Sequence, residues 1–158
     1  RRHTRYGTVT GVQTCALPIY GEGKRSRIDL LLQPGGGNSD PRPVYLEVKN
    51  TTWCQEDVGL FPDTVSERGQ KHLLELMGVL PNARAVLVPC LSRSDVRRFA
   101  PGDAADPRYG RLFREAIAAG VEVLPCRYRF EADAVLWEGV APVLPHQPSV
   151  DPEPKTIP

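Results

Sequence analysis

Two short runs of alternating apolar residues, joined by a loop that no helix can cross, constrain the fold of this chain most tightly. The first is Arg27-Ile28-Asp29-Leu30-Leu31-Leu32 and the second is Val44-Tyr45-Leu46-Glu47-Val48-Lys49-Asn50. Between them lies Gln33-Pro34-Gly35-Gly36-Gly37-Asn38-Ser39-Asp40-Pro41-Arg42-Pro43, a turn-rich stretch. Alternation with period 2 is the signature of a strand with one buried face. The pair therefore predicts two antiparallel strands. Ile28, Leu30 and Leu32 share one face and Asp29 lies on the other. In the second strand Val44, Leu46 and Val48 face one way, and Tyr45, Glu47 and Lys49 face the other.

Downstream the period changes. Thr64 with Glu67 three residues on reads as a capping box. Leu73, Leu76, Met77 and Leu80 then recur at helical spacing, and Pro81 ends the helix. Ala85–Val88 is a nearly continuous apolar run, as in a buried strand. A second helix is framed by Asp106 as cap, Pro107 in the first turn and Gly120 as stop. Its stripe is Tyr109, Leu112, Phe113, Ala116 and Ile117. Val121–Leu124 reads as a strand that Arg127–Phe130 extends. Strand pairs followed by alternating helix and strand predict an α/β fold, a mixed sheet flanked by helices, with parallel strands joined through the second helix. Six of the 16 prolines fall in residues 142–158, so residues 141–158 are expected to be an extended or disordered tail.

The first 19 residues, RRHTRYGTVTGVQTCALPI, carry no helical or strand period and resemble a translated sequencing-adapter remnant. Setting them aside leaves an α/β domain over residues 20–140. The whole chain has 20 basic and 19 acidic residues; without Arg1, Arg2 and Arg5 the basic count is 17. So balanced a charge excludes a strongly basic coat, and any nucleic-acid contact must be local. No apolar run reaches membrane length, so no membrane partner is expected. Cys54, Cys90 and Cys126 lack zinc-ligand spacing. They read as reduced thiols in a cytoplasmic protein without a disulfide-linked partner.

The chemistry concentrates in the strand pair. Glu47 and Lys49 lie on one face of one strand, roughly 7 Å apart. With the Arg27–Leu32 strand beside it, Asp29 comes next to Glu47. Two neighbouring carboxylates repel unless a cation sits between them. A hard divalent ion such as Mg²⁺ or Mn²⁺ takes such oxygen ligands, and the Val48 carbonyl adds one more. Lys49 would orient a metal-bound water or stabilise phosphoryl oxygens, an arrangement suited to phosphodiester hydrolysis. The plainer alternative is a set of cross-strand ion pairs. On the first helix, Gln70 borders the apolar stripe, within reach of a metal water or phosphate. Arg68, Lys71 and His72 make that helix's first half basic, and with Arg27 they form the expected nucleic-acid contacts.

Three segments carry a family resemblance: Ser26-Arg27-Ile28-Asp29, Tyr45-Leu46-Glu47-Val48-Lys49-Asn50-Thr51, and Phe61-Pro62-Asp63-Thr64-Val65-Ser66-Glu67-Arg68-Gly69-Gln70-Lys71-His72-Leu73. In order and spacing they resemble the sugar fermentation stimulation protein A family of prokaryotes, over about residues 24–130. The resemblance implies a PD-(D/E)xK nuclease-like core, here truncated at its N-terminus. It implies metal-site acids at Asp29 and Glu47, a lysine at Lys49 and a helix polar residue at Gln70. It further implies nuclease activity on DNA or RNA, or a DNA-binding regulator of sugar-catabolic genes that keeps the fold without catalysis. Family members carry an N-terminal OB-like domain, whose place is taken here by the adapter-like segment.

Overall fold

The computed structural model describes residues 19–20, 26–34 and 40–149. In chain order these form β1 (Ile19–Tyr20), β2 (Ser26–Arg27), β3 (Leu30–Leu32), β4 (Val44–Thr51), β5 (Trp53–Gln55), β6 (Val58–Phe61), α1 (Glu67–Gly78), β7 (Arg84–Leu91), β8 (Arg98–Pro101), α2 (Pro107–Ala119), β9 (Glu122–Val123), β10 (Cys126–Phe130) and β11 (Val135–Val140). The main sheet runs β11-β10-β7-β4-β3, with β9 also on β7. β5, β6 and β8 make a second sheet, and β1 pairs with β2. The architecture is mixed α/β, as the alternation of periods predicts.

β3 and β4 pair antiparallel, with Leu30 opposite Leu46. β4 and β7 pair parallel over eight residues, from Val44↔Arg84 to Thr51↔Leu91. β7 also runs parallel to β9 on the far side of α2, the expected strand–helix–strand unit. The first strand differs from its expected form. It breaks at Ile28–Asp29 into β2 and β3, and the break resets the facing: Ile28 is fully buried in the core, Leu30 is exposed and Leu31 packs on the core instead.

Both helices cover one face of the main sheet. Leu73 and Leu76 of α1 join Tyr109, Leu112, Phe113 and Ala116 of α2 over Ala85, Leu87 and Leu91 of β7. α1 starts later than its capping pattern suggests. Ser66, not Thr64, is the N-cap, and its Oγ accepts the Gly69 N–H at 3.0 Å. α2 follows expectation: Asp106 caps it, Pro107 sits in the first turn, and Gly120 closes it at φ 107°, in the left-handed region where a Cβ is unfavourable. Ile117, assigned to its buried stripe, is exposed.

Three strands lie in stretches where the sequence shows no regular period: β6 up to Phe61, β8 after Arg93, and β11 across Trp137. The proline-rich tail is extended as far as residue 149. Val143 bridges Phe99, Phe99 N–H donates to the Pro142 carbonyl at 3.0 Å, and Leu144 N–H returns to the Phe99 carbonyl at 2.7 Å. The ordered chain thus passes residue 140. The adapter-like segment lies outside the described residues except for Ile19.

Candidate metal and phosphodiester site

β4 is the spine of the site because it is paired on both sides, and a strand so held fixes its side chains firmly. Glu47 lies opposite Leu87 of β7, on the face that the helices cover, and is only 2% exposed. Burial at such a position demands partners. Lys49, two residues on and on the same face, supplies one: its Nζ stands 2.7 Å from Glu47 Oε1. His72 of α1 supplies the other, its Nδ1 touching Glu47 Oε1 and lying 2.8 Å from Lys49 Nζ. One proton decides how this triangle bonds. With Nδ1 bare, Lys49 donates to both neighbours; with Nδ1 protonated, His72 joins Lys49 as a donor to the carboxylate. Burial pushes the Glu47 carboxyl up, but hydrogen bonds from His72 and Lys49 outweigh it and hold the group below its ordinary range. Glu47 is therefore an anion in place. Its second oxygen, Oε2, is buried and has no hydrogen-bond partner.

Asp29 arrives from the broken strand. The β3–β4 ladder runs only from Leu30↔Leu46 to Leu32↔Val44, so the Val48 N–H lies beyond its end. Asp29 Oδ2 accepts that N–H at 2.8 Å, taking the place of a strand carbonyl. This bond ties Asp29 to the peptide that links Glu47 to Val48. The break at Ile28–Asp29, which spoils the expected strand, is thus what turns Asp29 toward β4. The structure brings together Asp29, Glu47, Val48 and Lys49, and adds His72.

Gln70 lies elsewhere in the network. It is buried, and its Nε2 donates to both carboxylate oxygens of Asp106, at 3.0 and 2.9 Å. Asp106 also accepts the N–H groups of Ser66 and Tyr109, each at 2.9 Å. One carboxylate therefore caps α2 and anchors the start of α1. Burial pushes Asp106 up, but the bonds from Ser66, Gln70 and Tyr109 hold it below its ordinary range. Beside it the Tyr109 hydroxyl is fully buried without a partner; burial, with the charges of Asp106 and Glu47, pushes it far above the ordinary phenol range.

Of the expected nucleic-acid contacts, Arg27, Arg68 and Lys71 are exposed, whereas His72 is buried against Glu47. The signal that places His72 is its spacing of four from Leu76, on the stripe that also holds Gly69 and Leu73. Neither Arg27 nor Arg68 forms an ion pair with a described residue. By contrast Arg42, Arg84, Arg93, Arg98, Arg114, Arg127 and Arg129 each pair with a carboxylate. Lys71 makes a surface pair with Glu75 at 3.6 Å.

The donor set suits a hard cation. Asp29, Glu47 and the Val48 carbonyl are oxygen ligands, and a cation would satisfy the orphaned Glu47 Oε2. Among the described residues no group of three or more His, Cys, Asp or Glu is placed to hold a metal, so any ion here would keep several waters.

Comparison with known proteins identifies the family. The family described as "Sugar fermentation stimulation protein RE domain" matches residues 14–134, beginning inside the segment set aside on sequence grounds. A sugar fermentation stimulation protein homolog of Parasynechococcus marenigrum is 73% identical over 124 residues, covering 78% of this chain and 49% of that protein. A homolog of Synechococcus sp. strain RCC307 is 67% identical over 137 residues, covering 87% of this chain and 54% of its own length. The solved structure of Pyrococcus furiosus SfsA in complex with Ca²⁺ is similar at a TM-score of 0.71 and 29% identity, over 80% of this chain and 52% of that one. The chain belongs to the sugar fermentation stimulation protein family. It spans about half the length of the relatives it matches.

Proposed function

We propose that this chain carries the catalytic centre of a divalent-metal-dependent nuclease with a PD-(D/E)xK-type core, acting on DNA or RNA. The observation that carries the reading is Glu47, ionised and with one oxygen orphaned beside Lys49, next in the chain to the Val48 N–H that Asp29 accepts. Asp29, Glu47 and the Val48 carbonyl would hold Mg²⁺ or Mn²⁺. When bound, such an ion supplies a water of lowered pKa and neutralises phosphoryl charge. The complex of the Pyrococcus relative with Ca²⁺, another hard oxygen-seeking cation, supports this choice of ligand class.

The chain's own residues do the rest. Lys49 neutralises charge on the phosphoryl oxygens and orients the attacking water. His72 holds Lys49 and Glu47 in register from the helix side. Gln70, tied to Asp106, positions the first turn of α1 over β4. Arg27 and Arg68, free of ion pairs with described residues, take the flanking phosphates, and Lys71 adds to the same charged rim.

The test is cleavage of single- and double-stranded DNA and RNA by a full-length relative in Mg²⁺, Mn²⁺ or EDTA, beside Glu47→Ala and Lys49→Ala. Metal-dependent cleavage lost in both variants is expected. Tight binding without cleavage would instead favour a DNA-binding regulator that keeps the nuclease fold.

A further inference from the structure

A second group of reactive side chains lies on the opposite face of the main sheet, away from Glu47. Cys90 of β7 and Cys126 of β10 are direct register partners in a parallel pairing. Partners on neighbouring strands project to the same face with the strands about 4.8 Å apart. That separation is inside the roughly 4.4–6.8 Å Cα range that a disulfide bridges. Leu91, the next residue, points into the core, so the cysteines point the other way. Both are free and half-buried. Tyr128, two residues beyond Cys126, shares their face; burial and the two neighbouring thiols push its hydroxyl up to about 12. The position matters mechanically. The ladder between β7 and β10 has only two pairs, Cys126↔Cys90 and Arg127↔Leu91, so the β10–β11 hairpin joins the sheet at these thiols.

We propose that Cys90 and Cys126 form a modification site that reacts with a small-molecule disulfide, such as oxidised glutathione, and closes to an intramolecular disulfide stapling the hairpin to the sheet. The Cys126 thiolate attacks one sulfur of the external disulfide. That S–S bond breaks, one small thiolate leaves, and a mixed disulfide remains on Cys126. The Cys90 thiolate then attacks the Cys126 sulfur and expels the second small thiolate. The protein loses two electrons and two protons, and the external disulfide leaves as two thiols. The order follows from the surroundings. Burial and the neighbouring Cys126 push the Cys90 thiol up, against an opposing hydrogen bond from Tyr128, so Cys90 is the poorer first nucleophile and closes the bond instead. Thiol–disulfide exchange runs in both directions, so an excess of small thiol reopens the bridge and the modification is reversible. Cys54, on the separate three-stranded sheet, is an internal control.

The experiment incubates the whole chain with graded ratios of reduced to oxidised glutathione. Free thiols are then alkylated, and intact mass and peptide linkage are read. The expected result is a loss of two hydrogens with a Cys90–Cys126 linked peptide, reversed by dithiothreitol. Neither Cys90→Ser nor Cys126→Ser should lose two hydrogens or give the linked peptide, each stopping at a glutathione adduct on the remaining thiol. Separate adducts accumulating on both cysteines of the unaltered chain would overturn the proposal. So would Cys90 and Cys126 both staying alkylatable while Cys54 reacts. The linked-peptide readout needs no variant, so a variant that fails to fold does not blunt the test.

Discussion

Glu47 and Asp106 are both buried carboxylates, and their surroundings assign them different work. Glu47 has one oxygen engaged by Lys49 and His72 and one oxygen orphaned. Asp106 has both oxygens filled by Ser66, Tyr109 and Gln70. A fully satisfied carboxylate holds structure; a partly satisfied one is available to a ligand. Glu47→Gln keeps the side chain's shape and removes its charge. In a full-length relative the matching change is expected to slow cleavage by about 100-fold or more with nucleic-acid binding retained, measured by single-turnover kinetics and filter binding. Asp106→Ala should instead cost about 2–4 kcal/mol of stability, since it removes a helix cap and charged hydrogen bonds together; chemical denaturation reads this. The sign with pH follows from the depressed Asp106 carboxyl. Its contribution is complete above the ordinary carboxylate range and is lost as pH falls through its lowered folded-state pKa. An acid titration of stability should therefore be flatter in Asp106→Asn than in the unaltered chain.

At the scale of elements, what the sequence shows depends on how locally each element is specified. α2 is legible from end to end because Asp106, Pro107 and Gly120 act within their own neighbourhoods. β4 is legible because alternation fixes which face carries Glu47 and Lys49. β6 is not, because Gly59 interrupts Val58-Gly59-Leu60-Phe61 and reads as a breaker. The packing there is tight: a Cβ would stand 3.1 Å from both the Leu91 and Val96 side chains, which would have to shift by a few tenths of an ångström. β8 ends in proline and carries no alternation, and its parallel pairing with β6, together with the Phe99–Val143 bridge, makes it a strand. The site was half legible for the same reason. Glu47 and Lys49 follow from period 2, whereas Asp29 meets β4 through the break in its own strand, and the contacts of His72 with Glu47 and of Gln70 with Asp106 join residues far apart in sequence. A paired substitution tests the packing account. At Gly102 a Cβ would meet the Pro62 carbonyl oxygen at 2.2 Å, and backbone cannot yield cheaply, whereas at Gly78 nothing lies within 4 Å. Gly102→Ala is expected to cost about 1–3 kcal/mol. Gly78→Ala, at the end of α1, should be neutral or gain up to about 1 kcal/mol. Thermal melts of the two variants beside the unaltered chain decide it.

Across the whole molecule, charge is spent mostly within the fold. Seven described arginines are paired to carboxylates, and Arg84 holds Glu122 with two bonds of 2.7 Å each. A near-neutral total of 20 basic to 19 acidic residues is therefore compatible with a phosphate-binding site, provided that a bound cation and a few unpaired arginines supply the local positive charge. Removing that cation with EDTA should abolish cleavage while leaving the melting temperature nearly unchanged, because the core of α1, α2 and β7 closes without it. The relatives are about twice as long as the part matched here. On the proposed reading Asp29 and Glu47 share one divalent ion. Electron paramagnetic resonance of Mn²⁺, titrated into the chain and into Glu47→Gln and Asp29→Asn, tests it most directly. One bound Mn²⁺ per chain, displaced by Mg²⁺ and weakened at least about tenfold in each variant, is the predicted result; Mn²⁺ binding unaffected by either substitution would contradict it.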